Sequence, residues 1–181
     1  MTDHGSAAKY QPTDRLYLWL LTQPRQPVLI GELNLIRATQ GVSLRYADLW
    51  MRRGFPLSED LPLIDEEFLP AEKGLAVGAV DDARPDRWGE RVIRHIDRPA
   101  RLSLLEYLYF AGDDRFGALG VSTSADEYLP RRLGPLPALE DADQIHELIR
   151  KVQDNEPVPA EHQRLISPGV TMGGARPKAL L

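Results

Sequence analysis

No cysteine occurs among the 181 residues, which excludes disulfides, thiolate metal sites and cysteine nucleophiles together. Long apolar runs are lacking too: the densest, residues 16–21, falls far short of the roughly 20 residues that a membrane-crossing helix needs. The start of the chain carries no apolar stretch behind a basic segment, so no export signal and no membrane association are expected, and the cytoplasm is the expected location. Excess positive charge is also missing. Lys+Arg 22 stand against Asp+Glu 27, a formal net charge of -5, so no whole-molecule field holds nucleic acid by its phosphates and no direct nucleic-acid binding is expected. What remains is ordinary globular material, 43% hydrophobic and 27% charged, long enough for one domain or two small ones around a real core.

The first residues are small, polar and charged, and a mobile tail is expected over residues 1–13. Residues 16–21 and 28–36 read as strands, joined by a turn through Gln23, Pro24, Arg25, Gln26 and Pro27. Residues 42–46 alternate Val42, Leu44 and Tyr46 with Ser43 and Arg45, the period of a half-buried strand, which completes an antiparallel meander. Three prolines, Pro56, Pro62 and Pro70, make residues 55–73 an irregular connection, since each lacks a backbone donor.

Helix signals follow. Pro85 suits a first turn, and Trp88, Val92 and Ile96 fall four apart on a face expected to pack on the sheet. Ser103 and Glu106 form a capping-box pattern ahead of Leu104, Leu105, Tyr107 and Leu108, with Gly112 as the stop. Residues 113–117 read as a tight turn into a strand at 118–121, and residues 130–137 as a linker. Ile145, Leu148, Ile149 and Val152 are spaced i, i+3, i+4, i+7, an amphipathic helix.

Among groups that could carry chemistry, Asp81 with Asp82, Asp113 with Asp114, and Asp86 read as solvated or turn-forming rather than as acid-base pairs. Arg87 and Arg115 are candidates to pair with those carboxylates. His4, His95, His146 and His162 share no ligand spacing, and Trp19, Trp50 and Trp88 read as core. The glycine-rich string from Thr171 through Met172, Gly173, Gly174, Ala175, Arg176 and Pro177 to Lys178 is more informative. Paired glycines let backbone amides approach a phosphate and two cations neutralise it; the alternative is a glycine turn between strands. It is no Walker loop, because Ala175 and Arg176 stand where that loop needs Lys and Ser or Thr.

This string resembles the glycine-rich loop that opens the kinase core of the HipA family, through Thr171, Gly174, Ala175 and Lys178. Three further segments resemble the same family in the same order: Gly31, Glu32 and Leu33; Pro85, Asp86, Arg87, Trp88 and Gly89; and Gly112, Asp113, Asp114, Arg115, Phe116, Gly117, Ala118 and Leu119. The resemblance implies a serine/threonine kinase toxin that inactivates a protein of translation and is restrained by a DNA-binding antitoxin of the HipB type. It also implies an ATP phosphate loop at Gly173, Gly174, Ala175, Arg176 and Lys178, and a possible autophosphorylation site at Thr171. The family's strand lysine, catalytic aspartate and metal-binding aspartate follow that loop, so no catalytic or metal residue is expected in this chain. ATP and magnesium belong to the complete enzyme, and no cofactor is expected for the chain alone.

The expected architecture is α+β: a small antiparallel sheet with covering helices, a helical connector and the beginning of a kinase-like small lobe. Its expected divisions are a tail at 1–13, an amino-terminal subdomain at 14–124, a connector at 125–164 and the start of the kinase core at 165–181. Three readings of the whole stay open: the amino-terminal part of a kinase toxin, with its kinase core in cis; a free-standing regulatory module that binds antitoxin and kinase core in trans; and an inactive gene remnant.

Overall fold

A computed structural model gives the fold and describes residues 10–113, 115, 117–131 and 138–166. The three strand-like runs form the expected meander of β1 (Arg15–Leu20), β2 (Val28–Ile36) and β3 (Gly41–Tyr46). Two short strands extend it, β4 (Glu67–Phe68) beside β3 and β5 (Leu119–Ser122) beside β1. The antiparallel order is β4-β3-β2-β1-β5. The α+β architecture is therefore as expected, while the beginning of a kinase-like small lobe, expected at 165–181, lies outside the described residues from 167 onward.

A bulge shapes the sheet. Leu18 pairs with Gly31 and Trp19 with Leu29, which leaves Ile30 as the extra residue of β2. The extra residue resets the two-residue alternation, so Ile30 and Leu33, three apart, both enter the same core with Leu16, Leu18, Val42 and Leu44. The proline-bearing connection is irregular except at β4. Tyr46 pins it, its hydroxyl donating to the Leu61 carbonyl at 2.8 Å and accepting from the Leu57 amide at 3.2 Å.

Short helices fill the remaining connections: α1 (Asp48–Arg53), α2 (Gly78–Asp82), α3 (Arg87–Val92), α4 (Leu104–Phe110) and α5 (Ala142–Asp154). The capping box opens α4 as expected, and Leu104, Leu105 and Leu108 bury against the sheet. Because α4 occupies that face, α3 packs elsewhere, which corrects the expectation that it covers the sheet. Trp88 and Val92 join Ile145, Leu148, Val152, Leu165 and Ile166 in a second core, with Ile96 at its margin. Pro85 lies one position before the cap rather than in the first turn, since Asp86 is the N-cap. The helix also changes pitch, continuing as a π-helical turn (Ile93–Asp97) that ends at left-handed Arg98.

One buried carboxylate ties the layers together. Glu106, fully buried on α4, accepts from the Ser103 amide at 2.9 Å and hydroxyl at 2.5 Å, from Arg101 at 2.8 Å and from the Tyr10 hydroxyl at 2.8 Å. Arg101 also reaches Asp14 at 2.6 Å and the Thr13 carbonyl at 2.5 Å, and Asp14 takes Arg37 at 2.7 Å. Tyr10 stacks on Tyr109, so the chain is already packed four residues before the expected start of order. No helix among the described residues is long and apolar enough to cross a membrane.

Burial pushes the Glu106 carboxyl up, but Arg101, Ser103 and Tyr10 together outweigh it and hold its pKa below the ordinary 4.5. A depressed folded-state pKa stabilises the protein above the unfolded value, and that stability is lost as pH falls through the folded value. Glu106→Gln should cost about 3 kcal/mol at neutral pH by leaving Arg101 without its buried partner. It should also flatten the loss of stability below pH 4.5. Urea denaturation of both proteins across the acid range tests this, and parallel pH curves would refute it.

Candidate functional site

The residues assigned to the phosphate loop by resemblance, Gly173, Gly174, Ala175, Arg176 and Lys178, together with Thr171, lie outside the described residues. The other three resembling segments are described apart from Asp114 and Phe116, and each does structural work. At Gly31 a Cβ would stand 2.2 Å from the Arg45 carbonyl oxygen of the neighbouring strand β3, with which Gly31 pairs through Tyr46 next to the bulge. Asp86 caps α3 by accepting from the Gly89 amide at 3.0 Å.

Arg115 was a candidate for pairing with a carboxylate. Instead its guanidinium donates to three backbone carbonyls, of Gly112 at 2.6 Å, Leu108 at 2.7 Å and Ala83 at 3.1 Å. It thereby satisfies the bare carboxyl-terminal end of α4 and ties it to α2. Burial lowers its pKa to about 10, against the opposing pull of Tyr128 and Asp113, so it remains cationic at neutral pH. The planar fork is what lets one side chain reach three acceptors.

The aspartates behave as turn and cap residues. Asp81 accepts from the Ala76 amide at 2.8 Å and from Arg84 at 3.2 Å, and Asp113 accepts from the Tyr128 hydroxyl. Asp114 lies outside the described residues. Among the described residues no group of three or more histidine, aspartate or glutamate side chains is placed to hold a metal ion. Trp19, Trp50 and Trp88 are all buried, as expected of core residues. His4 falls outside the described residues, His146 is exposed on α5 and His162 lies in the 3-10 turn Ala160–Leu165.

What the sequence reading missed is a basic cleft of about 490 Å³ lined by Arg87, Arg91, Arg94, His95 and Asn155. Arg87, Arg91 and Arg94 are spaced i, i+4, i+7, which puts them on one face across α3 and its π turn, and that periodicity was available in the sequence. The opposite wall is the carboxyl-terminal end of α5. Arg91 donates to the Gln153 carbonyl at 2.8 Å and His95 Nε2 to the Glu156 carbonyl at 2.5 Å. A carbonyl only accepts, so Nε2 carries the proton. Arg94 is held by the Tyr107 hydroxyl at 2.7 Å and by Glu90 at 2.9 Å. Arg87 is exposed and makes no hydrogen bond or ion pair with a described residue, so the expected pairing with a carboxylate is not found among the described residues.

A family model described as the HipA N-terminal domain matches residues 26–122, more than half of the chain. The matched stretch contains Gly31, the capped start of α3 and the Arg115 clamp. No curated protein matches the chain.

The clamp is testable. Arg115→Met keeps the length and apolar stem but strands three carbonyls, and should lower unfolding stability by about 2–4 kcal/mol. A urea midpoint equal to that of the parent protein would show that the clamp contributes nothing.

Proposed function

The chain belongs to the HipA N-terminal domain family, and from that we propose that it is the amino-terminal, non-catalytic part of a HipA-type serine/threonine kinase toxin of a toxin–antitoxin pair. The observation that carries the reading is the match over 26–122, which spans nearly the whole first core together with the three structural signatures. The resemblance of residues 171–178 to the glycine-rich loop supports a kinase core adjoining this domain. In this reading the domain packs on that core and contributes to contact with a HipB-type antitoxin. ATP and magnesium act at the core, where phosphoryl transfer needs a general base and metal-held phosphates. Its place of action is the cytoplasm, with the translation machinery as target.

A second reading is favoured by the closed first core, in which sheet and α4 bury each other without outside help: the domain acts as a separate regulatory subunit with its kinase core in trans. The two differ in connectivity rather than in chemistry.

Co-expression of the chain with the neighbouring kinase core and HipB-type antitoxin, followed by size-exclusion chromatography, should give one complex containing all three. The 181-residue chain incubated alone with labelled ATP should transfer no phosphate to itself or to translation factors. Transfer above a no-protein control would overturn the non-catalytic assignment, and failure to associate with both partners would overturn the toxin-module reading.

A further inference from the structure

The electrostatics of the α3 face run against those of the molecule. The chain carries a net charge of -5, yet residues 84–101 hold six arginines and three carboxylates, with Arg84 also paired to Asp81 and Arg101 to Asp14 and Glu106. Two of the three carboxylates are committed, Glu90 to Arg94 at 2.9 Å and Arg84 at 3.6 Å, and Asp97 to Arg131 at 2.8 Å. The third, Asp86, caps α3. The cleft therefore collects Arg87, Arg91, Arg94 and His95, of which Arg94 is paired with Glu90 while Arg87 and Arg91 face no carboxylate among the described residues.

From this arrangement we infer that the cleft is a binding site for a small ligand bearing a multiply charged phosphate group, an inorganic diphosphate or the diphosphate of a larger molecule. Guanidinium groups match phosphate oxygens with paired, charge-assisted hydrogen bonds, and three of them converge here. The bare carbonyl end of α5 would repel an anion through its helix dipole. Arg91 covers the Gln153 carbonyl of that end and His95 the Glu156 carbonyl just past it, and the same bonds hold the walls at a fixed separation. Asn155, in the left-handed conformation that closes α5, adds a neutral amide to the rim. Trp88 and Val92 on one wall and Ile145, Leu148 and Val152 on the other lock the two helices behind the cleft, so the site exists before any ligand arrives.

The lining also sets selectivity. Apart from the His95 imidazole, whose Nε2 is tied to the Glu156 carbonyl, no aromatic or aliphatic side chain among the described residues lines the cleft, so a nucleobase adds little to binding there. Diphosphate and a nucleoside diphosphate should therefore bind alike, and orthophosphate more weakly, because it reaches fewer of the cations. Recognition does not depend on the kinase-toxin reading, since the antitoxin and phosphate assays fail separately.

The experiment is calorimetric titration of the 181-residue chain with inorganic diphosphate at low ionic strength, with backbone amide chemical shifts recorded in parallel. Saturable binding is expected, with shifts centred on Arg87, His95 and Asn155 and affinity falling steeply with salt. Arg87→Glu should weaken it at least about tenfold, since it reverses the one cleft cation with no internal partner among the described residues. Arg25→Glu, in the turn between β1 and β2 and outside the cleft lining, should leave it unchanged. Absence of saturable binding, equal losses in the two variants, or a nucleoside diphosphate binding much more tightly than diphosphate would each overturn the inference.

Discussion

The Glu106 carboxylate is the constraint on which the first core depends. A fully buried charge is costly unless it is matched by an opposite charge and by donors for its remaining lone pairs. Here both conditions are met by groups from separate parts of the chain: Tyr10 ahead of β1, Arg101 before α4 and Ser103 at its cap. Satisfying one side chain thus fixes the chain before β1, the start of α4 and the angle at which that helix crosses the sheet. Arg101 carries the constraint outward through Asp14 to Arg37 at the end of β2.

At the other end of α4 the logic is reversed in sign. Carbonyls left bare by the helix meet the cation of Arg115, which also reaches α2. A short helix of seven residues contributes little stability by itself, so closure of both its ends by polar contacts, with Tyr10 and Ala83 tying in remote parts of the chain, keeps it in place. The second core then grows from the far side of this frame. With the sheet face taken by α4, the Trp88 face of α3 is left for the amphipathic stripe of α5. Their junction creates the basic cleft, a site that neither helix has alone.

Local patterns and their physical causes determined much of this from sequence alone. The alternation in 42–46, the capping pair Ser103 and Glu106, and the i, i+3, i+4, i+7 stripe of α5 each specify an element whose own residues satisfy its geometry. The same was true of Gly31, Asp86 and Arg115, whose grouping pointed to the family although their spacing did not disclose that they serve backbone geometry. Only tertiary structure decided the rest. The two-residue β4 exists because β3 supplies its partner, and the bulge at Ile30 appears only in the pairing of β1 with β2. The choice of α4 over α3 as the helix that covers the sheet is a competition for one apolar face, and an apolar stripe does not name the surface it will meet. The convergence of Arg87, Arg91 and Arg94 with the end of α5 was hidden for the same reason: helical spacing in the sequence aligns the arginines, but a cleft needs a second wall, and that wall comes from residues some 60 positions away.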